Sequence, residues 1–296
     1  MPTYANAIQY QHIHTMGRFL LVLTRPLLAL FLMLLLQVAA GMVVMLEGVI
    51  NGRTPADGAM TDGLFNVPLM SVSLIVGDVI IAIACMSIFR RRQYTRSEYV
   101  PSSATWQQNM VGLLGCVLGV VALDLMTELM SIPNLMEEQM MAICHNPWGV
   151  VAIALAAPVG EEMLFRWGIM GHLLHHNWNV YGSILFSALL FGIIHMNPAQ
   201  VFFATAMGVL LGMLYWKTGN ILMPILLHVL NNSVACAQVW LLGDDIHEYS
   251  IVRSIGGSGM AWATVAVCTI ACIGLMWRYA VSKPAGHDAT MEGREA

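Results

Sequence analysis

Charge is what this chain has least of. Asp, Glu, Lys and Arg make up 10% of its 296 residues, against about 25% in a soluble domain, and that scarcity excludes a soluble globular fold. Basic blocks that could neutralise phosphates are missing too. Thirteen Lys and Arg stand against 17 Asp and Glu, for a formal charge of −4, so nucleic-acid binding has no support. The six cysteines (Cys85, Cys116, Cys144, Cys236, Cys268 and Cys272) include no Cys-x-x-Cys pair. The usual redox and zinc signatures are therefore absent, and small buried residues are the default reading. No His-Glu-x-x-His helix, internal repeat or low-complexity tract is present.

Apolar residues take the place of charge, at 58% of the chain and a mean hydropathy of +0.70. They fall into eight segments: Leu27–Leu46, Pro68–Phe89, Val111–Ile132, Trp148–Leu174, Val180–Met196, Ala199–Trp216, Ile221–Leu242 and Ala261–Tyr279. Runs of about 20 apolar residues match a hydrocarbon layer about 30 Å thick. Each run must be helical, because backbone groups facing lipid have no other partner. The expected fold is an all-α integral membrane protein, a polytopic bundle of about eight transmembrane helices forming one domain over residues 1–296. Residues 1–18 read as a polar cytoplasmic segment ahead of a retained first span, and residues 283–296 as a disordered tail. Tallying loop cations places Arg18, Arg25, Arg90, Arg91, Arg92, Arg96, Lys217, Arg278, Lys283 and Arg294 beside the termini, and only Arg53 and Arg253 opposite. The expected location is the cell membrane, with both termini cytoplasmic. Trp148, Trp178 and Trp216 read as interfacial anchors.

Ionisable groups inside spans are costly, so each is a functional candidate until a partner explains it. There are eight: Asp78, Asp124, Glu128, Glu161, Glu162, Arg166, His195 and His228. Glu161 and Glu162 project about 100° apart on a helix, so their roles must differ. Glu162 and Arg166 stand four apart in the favourable acid-before-base order, the spacing of an internal ion pair. Glu161 is left without a local cation, in the position of a general base that takes a proton from water. Pro158 and Gly160 weaken the helix just upstream, and irregular backbone at membrane depth requires cover by protein or a water-filled cavity. Phe191 lies one turn from His195 on one face, and His228 and Asn232 repeat that spacing. Counting 1.5 Å per residue from the adjoining loops puts Glu161 about 20 Å deep, His195 about 22 Å, Asn232 about 16 Å and His228 about 10 Å. The four could share a layer, with His228 the worst fit.

Glu-Glu-x-x-x-Arg at 161–166, Phe-x-x-x-His at 191–195 and His-x-x-x-Asn at 228–232 follow one another on successive hydrophobic segments. In that order they resemble the CAAX protease and bacteriocin-processing family of intramembrane endopeptidases, with the likeness running from about Pro147 to Leu242. The resemblance implies a catalytic core over 147–242 in which Glu161 activates water, His195 helps hold it, and His228 and Asn232 stabilise the oxyanion. Glu162, Arg166 and Phe191 would support the site. It implies a membrane-associated protein or peptide as substrate, cut in CAAX-type or leader-type processing. The family is often labelled metalloprotease. Glu161, His195 and His228 are a donor set that Zn²⁺ accepts, although the spacing does not demand a metal.

Two other classes stand beside the peptidase. One is a proton-coupled transporter using Asp78, Asp124, Glu128 and Glu161, against which no inverted repeat is found. The other is a catalytically silent immunity or scaffold membrane protein. Asp124 and Glu128, four apart, are expected to be hydrated near the outer boundary, and Asp78 to pair with a polar group on a neighbouring helix. His172, His175 and His176 cluster at a helix C-terminus, where the dipole favours His, and metal binding there is the weaker reading.

Overall fold

The computed structural model describes residues 4–52, 66–89, 104–243, 245 and 249–282, with side chains from residue 21 onward. The expectations for residues 1–18 and 283–296 concern side chains or segments outside the described residues. So do Arg53, Arg90, Arg91, Arg92 and Arg96 of the charge tally.

The described residues form helices α1 (Tyr4–Ile50), α2 (Val67–Ile88), α3 (Trp106–Leu129), α4 (Glu137–Cys144), α5 (Pro147–His175), α6 (Val180–Ile193), α7 (Pro198–Thr218), α8 (Leu222–Leu242), α9 (Ile251–Ser254) and α10 (Ser258–Val281). No strand occurs among them. Seven are long and apolar enough to cross a membrane: α2, α3, α5, α7, α8, α10 and, in α1, Leu21–Ile50. Large apolar side chains such as Phe31, Val79, Leu226, Ile270 and Trp277 face outward, as a lipid-facing surface requires. The protein is an all-α, multi-pass membrane protein.

The eighth apolar segment is shorter than its hydropathy implies. α6 has 14 residues, about 21 Å at 1.5 Å per residue, which falls short of a hydrocarbon layer about 30 Å thick. Its expected extension to Met196 ends instead in a turn over 194–197, where Met196 has φ +50°. Pro198 then opens α7, suited to a first helical turn by its fixed φ and missing N–H. Asn197 holds this turn. It is fully buried, its Oδ1 accepts from Leu135 N at 3.0 Å, and its Nδ2 donates to Asn134 Oδ1 at 2.7 Å. α6 and α7 thus form a hairpin stapled to the loop after α3.

α5 is the central helix. Leu164, Phe165, Arg166, Ile169, Met170 and Leu173 are each fully buried. α1 and α2 pack on one side of α5, the α6/α7 hairpin on another, and α8 against its first half. α3 and α10 form an outer pair that reaches the centre through α7. Small residues set that pairing. Gly112, Gly115 and Gly119 lie against Tyr279, Met276 and Cys272, where an added Cβ would come within 2.8 to 3.1 Å of each neighbour, the close approach that small residues permit between membrane helices. Lys217, counted as a loop cation from sequence, is buried and donates to the carbonyls of Ala280 and Ser282. It thereby caps the C-terminal end of α10.

Candidate active site

α5 is not a uniform α-helix. Val151–Ala156 and Met163–Met170 are π-helical, a form that appears in short stretches, frequently at functional sites. The first stretch has a visible chemical cause. Ala157 N–H bonds back to Ala152 O, five residues earlier. In that register the Ile153 carbonyl would take its hydrogen from residue 158, which is proline and has none. Asn232 on α8 supplies the missing donor, its Nδ2 lying 2.9 Å from Ile153 O, while its Oδ1 accepts from Asn231. The weakness that Pro158 implies is thus a specific wide turn, tied to α8.

Immediately after this turn α5 presents Glu161 and Glu162. Glu162 is fully buried and accepts from Arg166 Nη1 at 2.7 Å, so the spacing argument holds. The same oxygen, Oε1, lies 3.0 Å from His228 Nδ1. A carboxylate oxygen can only accept, so Nδ1 carries the hydrogen and Nε2 is turned toward Glu161, whose Oε2 is 3.7 Å away. Each nitrogen of one imidazole therefore faces a different carboxylate. His228 thus meets both carboxylates of α5, whatever the depth counted from its adjoining loop.

Phe191 is the hinge of the arrangement. Its ring meets His228 at 5.6 Å and His195 at 5.1 Å between centroids, both edge-on, and the Arg166 guanidinium lies over it at 4.3 Å, a cation–π contact. The turn that ends α6 carries His195, whose Nδ1 donates to Phe191 O at 2.7 Å. The structure brings Glu161, Glu162, Arg166, Phe191 and His228 into one cluster. His195 joins it through Phe191, and Asn232 sits one turn along from His228, bonded to α5. Among the described residues no three His, Cys, Asp or Glu side chains are placed to hold a metal ion. The zinc donor set of Glu161, His195 and His228 is not assembled in this geometry, and the chemistry below is built from the side chains alone.

Glu161 also borders a cavity of about 130 Å³ between α1, α2 and α5. Asp78 and Glu161 are its ionisable lining residues, with Gln37 and Ser73 adding polar groups to walls such as Met33 and Ile81. A polar cavity of this size is large enough for water. Asp78 packs against the backbone of α5, where a Cβ at Gly160 would stand 3.1 Å from its Oδ1. Asp78 thus shares the lining of the cavity with Glu161 of the neighbouring helix.

Of the remaining candidates Asp124 is exposed and the others have structural explanations. Glu128 accepts from Ser250 Oγ and from the backbone N–H groups of Ile251 and Val252, so it caps α9 and is not merely hydrated. His172 lies 3.1 Å from Val22 O, and His176 bonds to His172 O at 2.8 Å. Trp178 packs on Phe186. Two positioning elements escaped the sequence reading, Asn197 and the Ile153 carbonyl. The Asn-Pro pair at 197–198 was the available signal for the first, and Pro158 for the second.

Helix packing around the cluster is tight at Gly208 on α7. A Cβ there would lie 3.0 Å from Ala188 and 3.1 Å from Arg166 Nη2. Gly208→Val should therefore displace the guanidinium, costing about 1–3 kcal/mol of stability. Thermal melting in detergent checks this, and an unchanged midpoint would contradict the packing.

A multi-pass membrane protein with a glutamate–imidazole–glutamate–guanidinium cluster buried against a water-sized cavity is the class that fold and site define. The family model described as type II CAAX prenyl endopeptidase Rce1-like matches residues 144–234, which contain the whole cluster. Over this central segment the chain is thus similar to the CAAX prenyl endopeptidases, in line with the resemblance carried by its sequence motifs. A Bacillus subtilis (strain 168) protein named "Putative membrane peptidase YdiL" is 32% identical over 87 residues, 29% of this chain and 35% of that protein. The aligned part spans about a third of that relative. No solved structure matches the chain.

Proposed function

We propose that the protein is an intramembrane endopeptidase that hydrolyses a peptide bond of a membrane-associated protein or peptide by glutamate-activated water. The observation that carries this reading is the position of Glu161, between a cavity able to hold water and the Nε2 of an imidazole fixed from behind by Glu162.

The chemistry follows from the atoms available. Water in the cavity gives a proton to the Glu161 carboxylate as its oxygen attacks the scissile carbonyl carbon. The carbonyl electrons move onto oxygen, and the developing oxyanion is met by the Nε2–H of His228 acting as an imidazolium, whose Nδ1–H stays hydrogen-bonded to Glu162. Glu161 then returns the proton to the amide nitrogen. The C–N bond breaks, releasing an amine and a carboxylic acid, and Glu161 is again ionised. Arg166 holds the Glu162 carboxylate in place, and Phe191 keeps both imidazoles in register. In this reading His195 presents its free nitrogen to water or to the substrate carbonyl, and Asn232 supports the oxyanion side from α8 while holding the wide turn of α5. CAAX-type or leader-type processing is the substrate class the family implies.

The test is purified protein in liposomes with membrane-tethered reporter peptides, read by mass spectrometry of the products. Comparing the membrane proteome of a Glu161→Gln strain with its parent then names the native substrate. Cleavage products that are the same with the variant as with the parent protein would end the proposal. Substrate-driven proton flux without cleavage would favour a transporter.

A further inference from the structure

Two of the six cysteines stand apart from the others. Cys144 is the last residue of α4 and Cys236 lies on α8, 92 positions later, with their Sγ atoms 3.3 Å apart. Both side chains are buried, in a small cluster with Ala154 and Val239. The surroundings hold the pair in place. Trp240 donates its indole N–H to Cys144 O, and Gly149 at the start of α5 packs so closely on Ile143 that a Cβ there would overlap the Ile143 carbonyl. Neither sulfur can drift far from the other while α4, α5 and α8 keep these contacts.

We propose that Cys144 and Cys236 are a disulfide-forming pair that clamps the entry of α5 to α8. A thiolate of the pair attacks a small-molecule disulfide oxidant, such as oxidised glutathione, releasing one thiol and forming a mixed disulfide. The second cysteine attacks that bond and releases the second thiol. Two protons and two electrons leave the pair, and the oxidant is reduced to two thiols. The sulfurs must close from 3.3 Å to about 2.05 Å, a side-chain adjustment between groups already in contact. Three spanning helices separate the N-terminus from the loop carrying Cys144, so with the N-terminus cytoplasmic this loop lies on the outer side, where disulfides persist.

The position gives the bridge a purpose. His228, Asn232 and Cys236 recur every four residues along one face of α8, and Cys144 directly precedes α5, the helix that carries Glu161 and Glu162. The Asn232 bond to Ile153 lies between the cluster and the cysteines. A covalent tie here fixes α8 against α5 one turn beyond that bond, so it secures the spacing of the two helices that form the site. The proposal does not depend on what reaction the site performs.

The experiment uses the full-length protein in detergent, exposed to oxidised glutathione or to dithiothreitol. Unreacted thiols are alkylated under denaturing conditions, and non-reducing digests are mapped by mass spectrometry. The expected result is one crosslinked peptide pair joining Cys144 to Cys236, lighter by two hydrogens, and a thermal midpoint several degrees higher in the oxidised form. Cys144→Ala and Cys236→Ala should each abolish both the crosslink and the midpoint difference. Alkylation of all six cysteines after oxidation, a crosslink between other residues, or a midpoint difference that persists in either variant would overturn it.

Discussion

Glu161→Gln should lower peptide cleavage by about 10²- to 10⁴-fold, the contribution typical of a positioned general base, while leaving the thermal midpoint in detergent close to that of the parent. The two halves of this expectation rest on different facts. Glutamine keeps the shape that borders the cavity and lies near His228, and Glu161 meets His228 Nε2 only at 3.7 Å, beyond hydrogen-bond reach. The carboxamide cannot accept the proton from water. Assay with the same tethered peptide separates the alternatives: retained cleavage removes Glu161 as the base, and a large drop in midpoint would make it a structural group.

Arg166→Leu should behave in the opposite way, with stability failing first. The guanidinium and the Glu162 carboxylate are both fully buried. Removing the cation strands a charge in a low-dielectric interior, which costs about 3–5 kcal/mol. A double variant, Glu162→Met with Arg166→Met, removes both charges together and should recover most of that loss, because buried ion pairs can be exchanged for well-packed apolar groups with little net penalty. Cleavage should not recover with it. His228 would have lost the acceptor that fixes its Nδ1 hydrogen, and its ring would no longer be held toward Glu161. Parallel melting and cleavage measurements on the single and double variants read out the two effects. Recovery of both stability and activity would show that Glu162 serves the fold alone.

Much of this was legible in the sequence where interactions are local. The Glu162–Arg166 pair and the contact of Phe191 with His195 follow from a four-residue spacing on one strip of chain, and each appears at contact distance. The apolar segments are just as local, and seven of the eight became helices of spanning length. The exceptions depend on distant partners. Hydropathy continues through Ile193 and Ile194 toward Met196, yet α6 stops at Ile193, and Asn197 bonds to the loop at 134–135; the Asn-Pro pair marks a turn there but not the distant partner that holds it. The depth of His228 depends on how far α8 enters the bundle, a packing property that a count of residues from a loop does not contain. Asp78 was recognised as expensive, but a lone carboxylate has no pattern that names Glu161 as its neighbour across a cavity.

The wide turn at Val151–Ala156 carries one more consequence, for tolerance to changes in length. A single-residue deletion there would let the ladder revert to ordinary i→i+4 bonding and look harmless by hydropathy. It would also close the wide turn that presents the Ile153 carbonyl to Asn232 Nδ2, loosening α5 from α8. Shortening by one should be far more damaging in this stretch than an equal loss in the lipid-facing length of α1.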